Sequence, residues 1–306
     1  MTHDIDPLVG PHIACFSCSS VVGSAMSDSV AKAEEMFVER WKEWESRPGG
    51  AETVGVALIS TGSFSPVHRM HVAALDAARR RVEEEGVAVD GTNMAAKVIA
   101  GFLSPSHDSY VSGKLGVDAL DGETRVAMIS AALEDGGGEL EWMAPDDWEA
   151  KQDSFVDFPA VALSLKSRIV TAMEEAGLGE AVEAGRVWVA YVCGADHAAK
   201  CNVKYMSMKG LGVVVTPRPS AMDRLLRRYS DKDFTSWCLL VRDHQVEAAV
   251  ESLGADPTAS STEVRSTILT LHDPTSSENA KDDAIARLSQ LVFPSVQHML
   301  LDLVPP

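Results

Sequence analysis

Residues 56–71 read VALISTGSFSPVHRMH, and this stretch decides the fold. It begins as an apolar run typical of a buried parallel strand, turns at Gly62 and Pro66, and continues into a helical pattern. Backbone N–H groups at such a loop and the positive end of the helix dipole both attract an anion. His68 and His71 are three residues apart, so both imidazoles lie on one face of the first helical turn. The stretch therefore predicts an anion site in which an imidazole donates a hydrogen bond to phosphate. A metal site and a simply buried histidine are the alternatives, but neither accounts for the Gly-Ser-Phe turn directly before the histidines.

Outward from this stretch, short apolar runs alternate with helical patterns. The alternation predicts an α/β fold, a Rossmann-like doubly wound parallel sheet, in which ligands bind at the carboxyl ends of the strands. Besides the first strand, 54–60, the predicted strands are 98–103, 187–193, 211–215 and 237–241. The predicted helices are 68–85, 124–133 and 160–176, and the predicted surface loops are 136–138, 217–220 and 273–280.

The first 50 residues differ from the rest in composition. Residues 1–27 are rich in small residues without a clear period, whereas residues 28–46 repeat apolar side chains at helical spacing among charged ones. An amphipathic helix is expected there, capped by Ser27 or Asp28 and packed on the main domain in preference to binding a partner. The sequence Arg-Pro-Gly-Gly at 47–50 then breaks the pattern. We therefore expect an N-terminal extension over 1–50 and a main domain over 51–306.

Composition and charge restrict the classes of partner. The chain has 306 residues and a formal net charge of −18, which argues against binding a nucleic-acid backbone. Its five cysteines are too scattered for a disulfide framework, and no second pair completes a metal set with Cys15 and Cys18. No run of about 18 apolar residues predicts a membrane span, and the acidic N-terminus differs from a signal peptide. The expected compartment is the cytoplasm, with the nucleus as the alternative.

A second motif lies about 190 residues after the first. Residues 259–269 read ASSTEVRSTIL, in which hydroxyl side chains precede an apolar helical pattern and mark a helix N-cap. Arg265 lies in the first turn, where its guanidinium can contact two phosphate oxygens at once. Taken alone, such a motif is more often a helix cap with a surface arginine than a binding site.

Together, the two motifs resemble a known family. GSFSPVHRMH resembles the G-S-F-x-P-x-[HT]-x-x-H signature of nicotinamide and nicotinate mononucleotide adenylyltransferases, members of the HxGH nucleotidyltransferase superfamily, and SSTEVR resembles their S-S-T-x-x-R signature. Met70 replaces the usual glycine, as in the eukaryotic branch, and Glu263 replaces a common lysine. Further similar segments follow in the family's order: SPSHDSY at 104–110, TRV at 124–126, Trp142, DWE at 147–149 and GAD at 194–196.

The resemblance implies an enzyme that transfers the adenylyl group of ATP to nicotinamide or nicotinate mononucleotide, forming NAD or deamido-NAD and pyrophosphate. His71 and Arg265, assisted by His68, would stabilise the reacting phosphates, and Mg²⁺ would be carried mainly by the phosphates of ATP, without a metal site on the protein. The choice between amide and acid, and the formation of a homo-oligomer, are left open.

The resemblance also implies a set of binding residues. Two departures affect the mononucleotide pocket: the usual lysine is missing, with Lys114 nearby, and a second ring-stacking tryptophan is missing, with Tyr205 as the nearest substitute. The implied ATP-binding residues are Gly62, Ser63, Phe64, His68, His71, Gly194, Asp196, Ser260, Ser261, Thr262 and Arg265. The implied mononucleotide-binding residues are Ser63, Phe64, Lys114, Trp148, Phe155 and Tyr205.

Three other functions compete with this interpretation. Another HxGH enzyme, such as a phosphopantetheine adenylyltransferase or a cytidylyltransferase, would share the phosphate residues but not the GAD and Trp-Glu segments. A class I aminoacyl-tRNA synthetase fragment is suggested faintly by KYMSMK at 204–209, but its position and the acidic charge disfavour it. A chaperone-like relative without turnover would have lost its phosphate ligands, yet His68, His71 and Arg265 are all present.

Overall fold

A computed structural model describes residues 32–89 and 92–303. The strands are β1 Val54–Gly62, β2 Val87–Val89, β3 Thr92–Met94, β4 Ala96–Pro105, β5 Met143–Pro145, β6 Val187–Gly194, β7 Gly212–Thr216 and β8 Leu239–Leu240. The helices of the first half are α1 Ala33–Glu45, α2 Arg69–Glu85, α3 Asp108–Leu115, α4 Gly122–Asp135, α5 Phe158–Glu175 and α6 Gly179–Glu183. Those of the second half are α7 Ala195–Lys200, α8 Lys204–Met208, α9 Pro219–Arg228, α10 Asp231–Ser236, α11 Asp243–Ser252, α12 Ser261–His272, α13 Glu278–Leu291 and α14 Pro294–Asp302.

Six strands form one parallel sheet in the order β5-β4-β1-β6-β7-β8. The chain builds outward from β1 through β4 to β5, and then returns to place β6 on the other side of β1. The strand order therefore reverses between β1 and β6, where Gly55–Ile59 pairs in register with Val187–Tyr191. This arrangement confirms the predicted α/β doubly wound sheet. Its ligand-binding edge is expected where the carboxyl ends of β1 and β6 diverge.

The central strand β1 is buried on both faces, as its apolar sequence predicts. Val54, Val56 and Leu58 pack into one core with α2, α4 and the C-terminal helices, while Ala57 and Ile59 pack into the other core with α1 and α5. Alternate side chains of a strand point to opposite faces, so one apolar run supplies both cores. Residues 54–59 are therefore buried, and the partly buried carboxyl end of the strand leads into residues 63–68, which we call the histidine loop.

Helix α1 lies within the first 50 residues and is part of the second core. It begins at Ala33 with Lys32 at the N-cap, and the predicted caps Ser27 and Asp28 lie outside the described residues. Phe37 and Trp41 are fully buried in the core that also contains α5 and part of β4. The preferred interpretation of an amphipathic helix packed on the main domain agrees with this contact, whereas the division of the chain at residue 50 stays a prediction.

Some predicted boundaries are wrong. The predicted strand 237–241 is only Leu239–Leu240, because Trp237 ends α10 and its indole donates to Asp233 (2.9 Å). The predicted loop 217–220 already contains the start of α9, since a proline is favourable in a first helical turn. Likewise, the loops 136–138 and 273–280 run into a 3₁₀ turn, Gly137–Glu139, and into α13. Within the described residues, no helix is long and apolar enough to cross a bilayer.

We predict that Trp41→Ala destabilises the protein by about 3–5 kcal/mol, because a large buried ring is replaced by a cavity. On the side of the sheet the ring packs against Gly55, where an added Cβ would lie 2.2 Å from it. Since glycine has no side chain, nothing on that side can fill the cavity without a rearrangement of the backbone. Urea denaturation would measure the change. The exposed neighbour Lys42 serves as a control, and Lys42→Ala should change the free energy of unfolding by less than about 0.5 kcal/mol. Equal losses in the two variants would contradict the packing of α1.

Candidate active site

The loop between β1 and α2 has a tightly defined backbone. Phe64 adopts a left-handed conformation (φ 42°), which is uncommon for a residue other than glycine and occurs often at functional sites. Its ring is buried and lies edge-on to His71, with centroids 4.8 Å apart. A Cβ on Gly62 would come within 3.3 Å of the same ring, so the absence of a side chain there makes room for Phe64. Gly62 and Phe64 thus shape the loop jointly.

The two histidines stack at the start of α2. His68 is the N-cap residue, and the centroids of the two imidazoles are 3.7 Å apart. The backbone N–H of His68 donates to Nδ1 of His71 (3.2 Å). Because Nδ1 accepts, the proton of neutral His71 resides on Nε2, and this N–H has no acceptor among the described residues. His71 is therefore arranged to donate a hydrogen bond to a ligand.

Both histidines are uncharged near neutral pH. The pKa of His68 is lowered to about 3, mainly by burial and then by the nearby positive charge of Arg218. The pKa of His71 lies well below its usual range, mainly because of burial and then because of His68, Arg218 and Lys114. Nδ1 of His68 has no hydrogen-bond partner in the described structure. The two imidazoles therefore carry no charge near neutral pH, and the positive charge around them comes from lysine and arginine.

The second motif meets the first, although the two are far apart in sequence. The hydroxyl of Ser261 donates to the carbonyl of Pro66 (3.0 Å), and Nη1 of Arg265 donates to the carbonyl of Ser65 (2.7 Å). At the start of α12, the hydroxyl of Ser260 accepts from the backbone N–H of Glu263 (3.2 Å), as expected for an N-cap. A further contact of Arg265 is with Thr262 (3.2 Å). The N-terminal ends of α2 and α12 therefore converge on one loop.

Arg125 holds the opposite side of the loop and was not singled out as a site residue from the sequence. Its guanidinium is fully buried and donates to the carbonyl of Ser63 (3.0 Å), to the carbonyl of Leu120 (3.0 Å) and to the carboxylate of Asp108 (2.6 Å). Only its place in the TRV segment distinguished it in the sequence. The bonds show that this segment anchors the histidine loop.

Lys114, which stands near the place of the missing lysine, does reach the loop. Its Nζ lies 3.4 Å from the hydroxyl of Ser63, and its charge is close enough to lower the pKa of His71. One helical turn earlier, Tyr110 stacks on Phe155 with centroids 4.8 Å apart and ring planes 17° apart. Both rings are about 40% exposed, at 44% and 40%. Phe155 is therefore not a core residue, and α3 places an accessible aromatic pair beside the loop.

The Trp-Glu segment lies next to α3. Glu149 is buried, and it accepts a hydrogen bond from the backbone N–H of His107 (3.2 Å). Burial raises the pKa of Glu149 to about 7, although the bonds from His107 and Ser106 act in the opposite direction. Trp148 is partly buried against the second core, with the guanidinium of Arg168 6.0 Å from its ring. Its neighbours therefore identify Trp148 as a packing residue, and its role with a ligand stays a prediction.

The carboxyl ends of β6 and β7 contribute an ion pair. Gly194 ends β6 opposite Thr216, and Asp196 follows in the first turn of α7. One carboxylate oxygen of Asp196 lies 3.7 Å from the guanidinium of Arg218, and the same oxygen has no hydrogen-bond partner. Arg218 belongs to the segment 217–220, predicted as a surface loop. Its position directly after a strand, at the carboxyl edge of the sheet, is the signal that could have identified it.

The structure does not bring Tyr205 to the histidine loop. Tyr205 lies on α8, where the neighbouring Met206 is buried in the second core, and the recorded ring contact of Tyr205 is with Lys209 (5.3 Å). Its assignment to the mononucleotide stays a prediction. Within residues 32–89 and 92–303, no group of three or more His, Cys, Asp or Glu side chains lies close enough to hold a metal ion.

No protein-family model matches the chain. The chain is, however, 31% identical over 145 residues to a nicotinamide-nucleotide adenylyltransferase from Drosophila melanogaster. These residues cover 47% of this chain and 31% of that protein. It is also 30% identical over 150 residues to a nicotinamide/nicotinic acid mononucleotide adenylyltransferase from Oryza sativa subsp. japonica. These residues cover 49% of this chain and 50% of that protein. The chain is similar in sequence to these adenylyltransferases. The similarity spans about a third to a half of each relative's length, and both relatives are eukaryotic, in agreement with the signature that contains Met70.

Among solved structures, the chain resembles Plasmodium falciparum nicotinic acid mononucleotide adenylyltransferase, solved as complexes with NaAD and with APC. The TM-scores are 0.46 and 0.44 at 10% and 9% identity, covering 81% of this chain and 95% and 94% of those chains. Because both TM-scores are below 0.5, the fold assignment depends on the strand order and on the register of the sheet.

We predict that the buried neutral state of His68 makes stability depend on pH. The folded pKa of about 3 lies below the unfolded value of 6.5, so between these values the unfolded chain binds a proton that the folded chain does not. This contribution to stability is complete above pH 6.5 and is lost as the pH falls towards 3. Urea denaturation between pH 7.5 and 4.5 would measure the free energy of unfolding. As the pH falls, this free energy should decrease less steeply in His68→Asn than in the unaltered protein, by at most about 1.4 kcal/mol per pH unit. The exposed His298 provides the control His298→Asn, and identical slopes in the two variants would refute the assignment.

Proposed function

We propose that this protein transfers the adenylyl group of ATP to nicotinamide or nicotinate mononucleotide and releases pyrophosphate. The observation that carries the proposal is the convergence of α2 and α12 on one loop at the carboxyl end of β1, with His71 and Arg265 both bonded to it. Two helix N-termini, a neutral histidine donor and several cations suit a triphosphate, which carries many oxygen acceptors. The related adenylyltransferases from Drosophila and rice support the choice of substrates.

The proposed reaction is a direct displacement at the α-phosphorus of ATP. An oxygen of the mononucleotide 5′-phosphate forms the new P–O bond, the bond between the α-phosphorus and the bridging oxygen breaks, and pyrophosphate leaves with that electron pair. A phosphate monoester has a second pKa of about 6, so it is already a nucleophile at neutral pH and needs no general base. Catalysis then consists of positioning and charge stabilisation.

His71 and Arg265 would stabilise the phosphates in different ways. Nε2–H of His71 is a neutral donor that is already oriented by the bond at Nδ1, so it can strengthen its bond as charge grows in the transition state. Arg265 uses two of its N–H groups within the protein and keeps others for phosphate oxygens. His68 stacks on His71 and would limit the rotation of its ring.

Arg218 and Asp196 would separate when ATP binds. Their charged atoms are 3.7 Å apart, both side chains are about half exposed, and one carboxylate oxygen has no hydrogen bond. Such an exposed, poorly aligned pair contributes little to stability. A triphosphate beside the histidines would attract Arg218, and Asp196 would then be free to accept from the ribose hydroxyls, as carboxylates do in other dinucleotide folds.

The mononucleotide would occupy the side of the loop that faces α3. Lys114 and Ser63 would contact its phosphate, and the exposed Tyr110–Phe155 stack offers an aromatic surface for the pyridine ring. Mg²⁺ would arrive with ATP and be held by phosphates and water, since no acidic cluster lies at the loop in the described part of the chain. The cysteines described are all free, which supports our placement of the protein in a reducing compartment such as the cytoplasm.

We predict that His71→Ala lowers the turnover number by two or more orders of magnitude, because it removes an oriented donor that acts in the transition state. Pyrophosphate release from ATP, Mg²⁺ and nicotinamide mononucleotide would be measured, and the assay repeated with nicotinate mononucleotide. The control is His272→Ala, at the exposed end of α12, which should leave turnover unchanged. No product from either mononucleotide with the unaltered protein would refute the proposed function, and near-normal turnover of His71→Ala would remove that residue from the mechanism.

We further predict that Arg218→Ala raises the KM for ATP by roughly tenfold or more, because a charge-assisted contact to phosphate is lost. Arg224→Ala is the matched control: it removes an exposed arginine one turn and a half along the same helix and should leave the KM unaltered. Steady-state kinetics with varied ATP would compare the two. If Arg218→Ala behaves like the control, Arg218 does not contact the nucleotide.

A further inference from the structure

A second concave site lies away from the histidine loop. A cavity of about 470 Å³ opens between α1, α2, β4, the 138–142 segment and the end of α11. Helix α2 connects the two places, because the histidines stand at its first turn whereas Asp76, Arg79 and Arg80 line the cavity further along. At 1.5 Å per residue, His71 and Arg79 are about 12 Å apart along the helix axis. The cavity is thus separate from the candidate active site.

The inner wall of the cavity is positively charged. Asp76 is buried, and its two carboxylate oxygens accept from Arg79 (2.6 Å) and Arg80 (2.8 Å). One negative charge therefore orients two guanidinium groups, and each of them keeps N–H groups that the carboxylate does not use. Arg79 also lies over the ring of Trp142, 5.1 Å from its centroid, which limits its movement further. The result is a preorganised set of donors with a net positive charge.

Two further arginines line the cavity. The side chain of Arg47 makes no hydrogen bond or ion pair with the described residues, and the guanidinium of Arg40 donates to the carbonyl of Glu141. Most of their N–H groups are therefore not used by the described part of the protein.

Acidic groups also line the cavity, but they lie at its rim. Glu43, Glu139 and Glu141 are all exposed, so water and salt screen their charges, whereas Arg79 and Arg80 are only 26% and 29% exposed. Lys97 is paired with Glu83 outside the cavity (2.9 Å). The chain as a whole has 45 acidic and 27 basic residues, so the positive charge of the inner wall is opposite in sign to the net charge of the protein.

We propose that this cavity binds a small anion with several oxygen acceptors, of the polyphosphate or polycarboxylate class. The guanidinium groups of Arg79 and Arg80 supply charge and paired donors, and Arg47 supplies a further charge without a partner among the described residues. The surrounding Val98, Ile99 and Leu140 exclude water from one side. The proposal is independent of the function proposed for the histidine loop.

Titration calorimetry at low ionic strength tests the proposal, with tripolyphosphate and citrate as separate probes. At least one probe should bind saturably, and Arg80→Gln should weaken that binding tenfold or more. Arg47→Ser should weaken it severalfold. Binding of one probe alone assigns the phosphate or the carboxylate class. Circular dichroism would verify that each variant is folded, and Arg47 makes no recorded side-chain contact whose loss could unfold the protein.

Two controls separate this site from others. Arg227→Gln removes an exposed charge on α9 and should bind each probe within twofold of the unaltered protein. Arg265→Ala alters the histidine loop, which is itself proposed to bind a triphosphate, so this variant identifies the tripolyphosphate binding that belongs to that loop and should leave within twofold the binding that Arg80→Gln weakens. The proposal is overturned if neither probe binds saturably, if Arg80→Gln and Arg47→Ser bind as tightly as the unaltered protein, or if Arg265→Ala abolishes all binding.

Discussion

Two arginine side chains hold the backbone carbonyls of the loop that follows β1, and the site depends on these hydrogen bonds. Arg125 donates to Ser63 on one side, and Arg265 donates to Ser65 on the other. Phe64, the left-handed residue of this loop, lies between Ser63 and Ser65, whose carbonyls are outside any strand or helix. Buried carbonyls without a hydrogen-bond donor are costly. The guanidinium groups remove that cost. They also connect the loop to α4 and α12, so its shape is fixed by elements from both halves of the chain.

Positive charge around neutral histidines is the second constraint. The chain as a whole is strongly acidic, yet Lys114, Arg218 and Arg265 surround His68 and His71. Burial, followed by the positive charges of Arg218 and Lys114, keeps the imidazoles uncharged. The charged and uncharged groups therefore differ in what they can contribute. The cations attract an anion over a long range, and the uncharged rings supply hydrogen bonds whose direction is fixed. Net charge therefore describes the surface of this protein and says little about the charge around the two histidines.

Local sequence patterns predicted what depends on neighbouring residues. The strand, the turn and the two histidines of residues 56–71 follow from periodicity and from Gly62, and the N-cap at Ser260 follows from its hydroxyl. Long-range partners were not predictable in this way. Arg218 looked like a loop residue because a proline stands on each side of it, and no local signal shows that it faces Asp196. The sequence likewise does not show how deeply Trp41 of α1 is buried, because Gly55, which makes room for its ring, lies beyond the break at 47–50.

Arg69 shows how late in synthesis this site is completed. It is the first residue of α2, directly between the histidine N-cap and the rest of the helix, and it donates to the carbonyls of Leu253 (2.9 Å) and Val292 (3.1 Å). These two residues are the C-caps of α11 and α13, where the carbonyl ends of the helices carry partial negative charge. The contacts span 184 and 223 residues. Contacts of such sequence separation form slowly. During synthesis, moreover, β1 and the histidines leave the ribosome long before Leu253 and Val292, whose carbonyls hold Arg69.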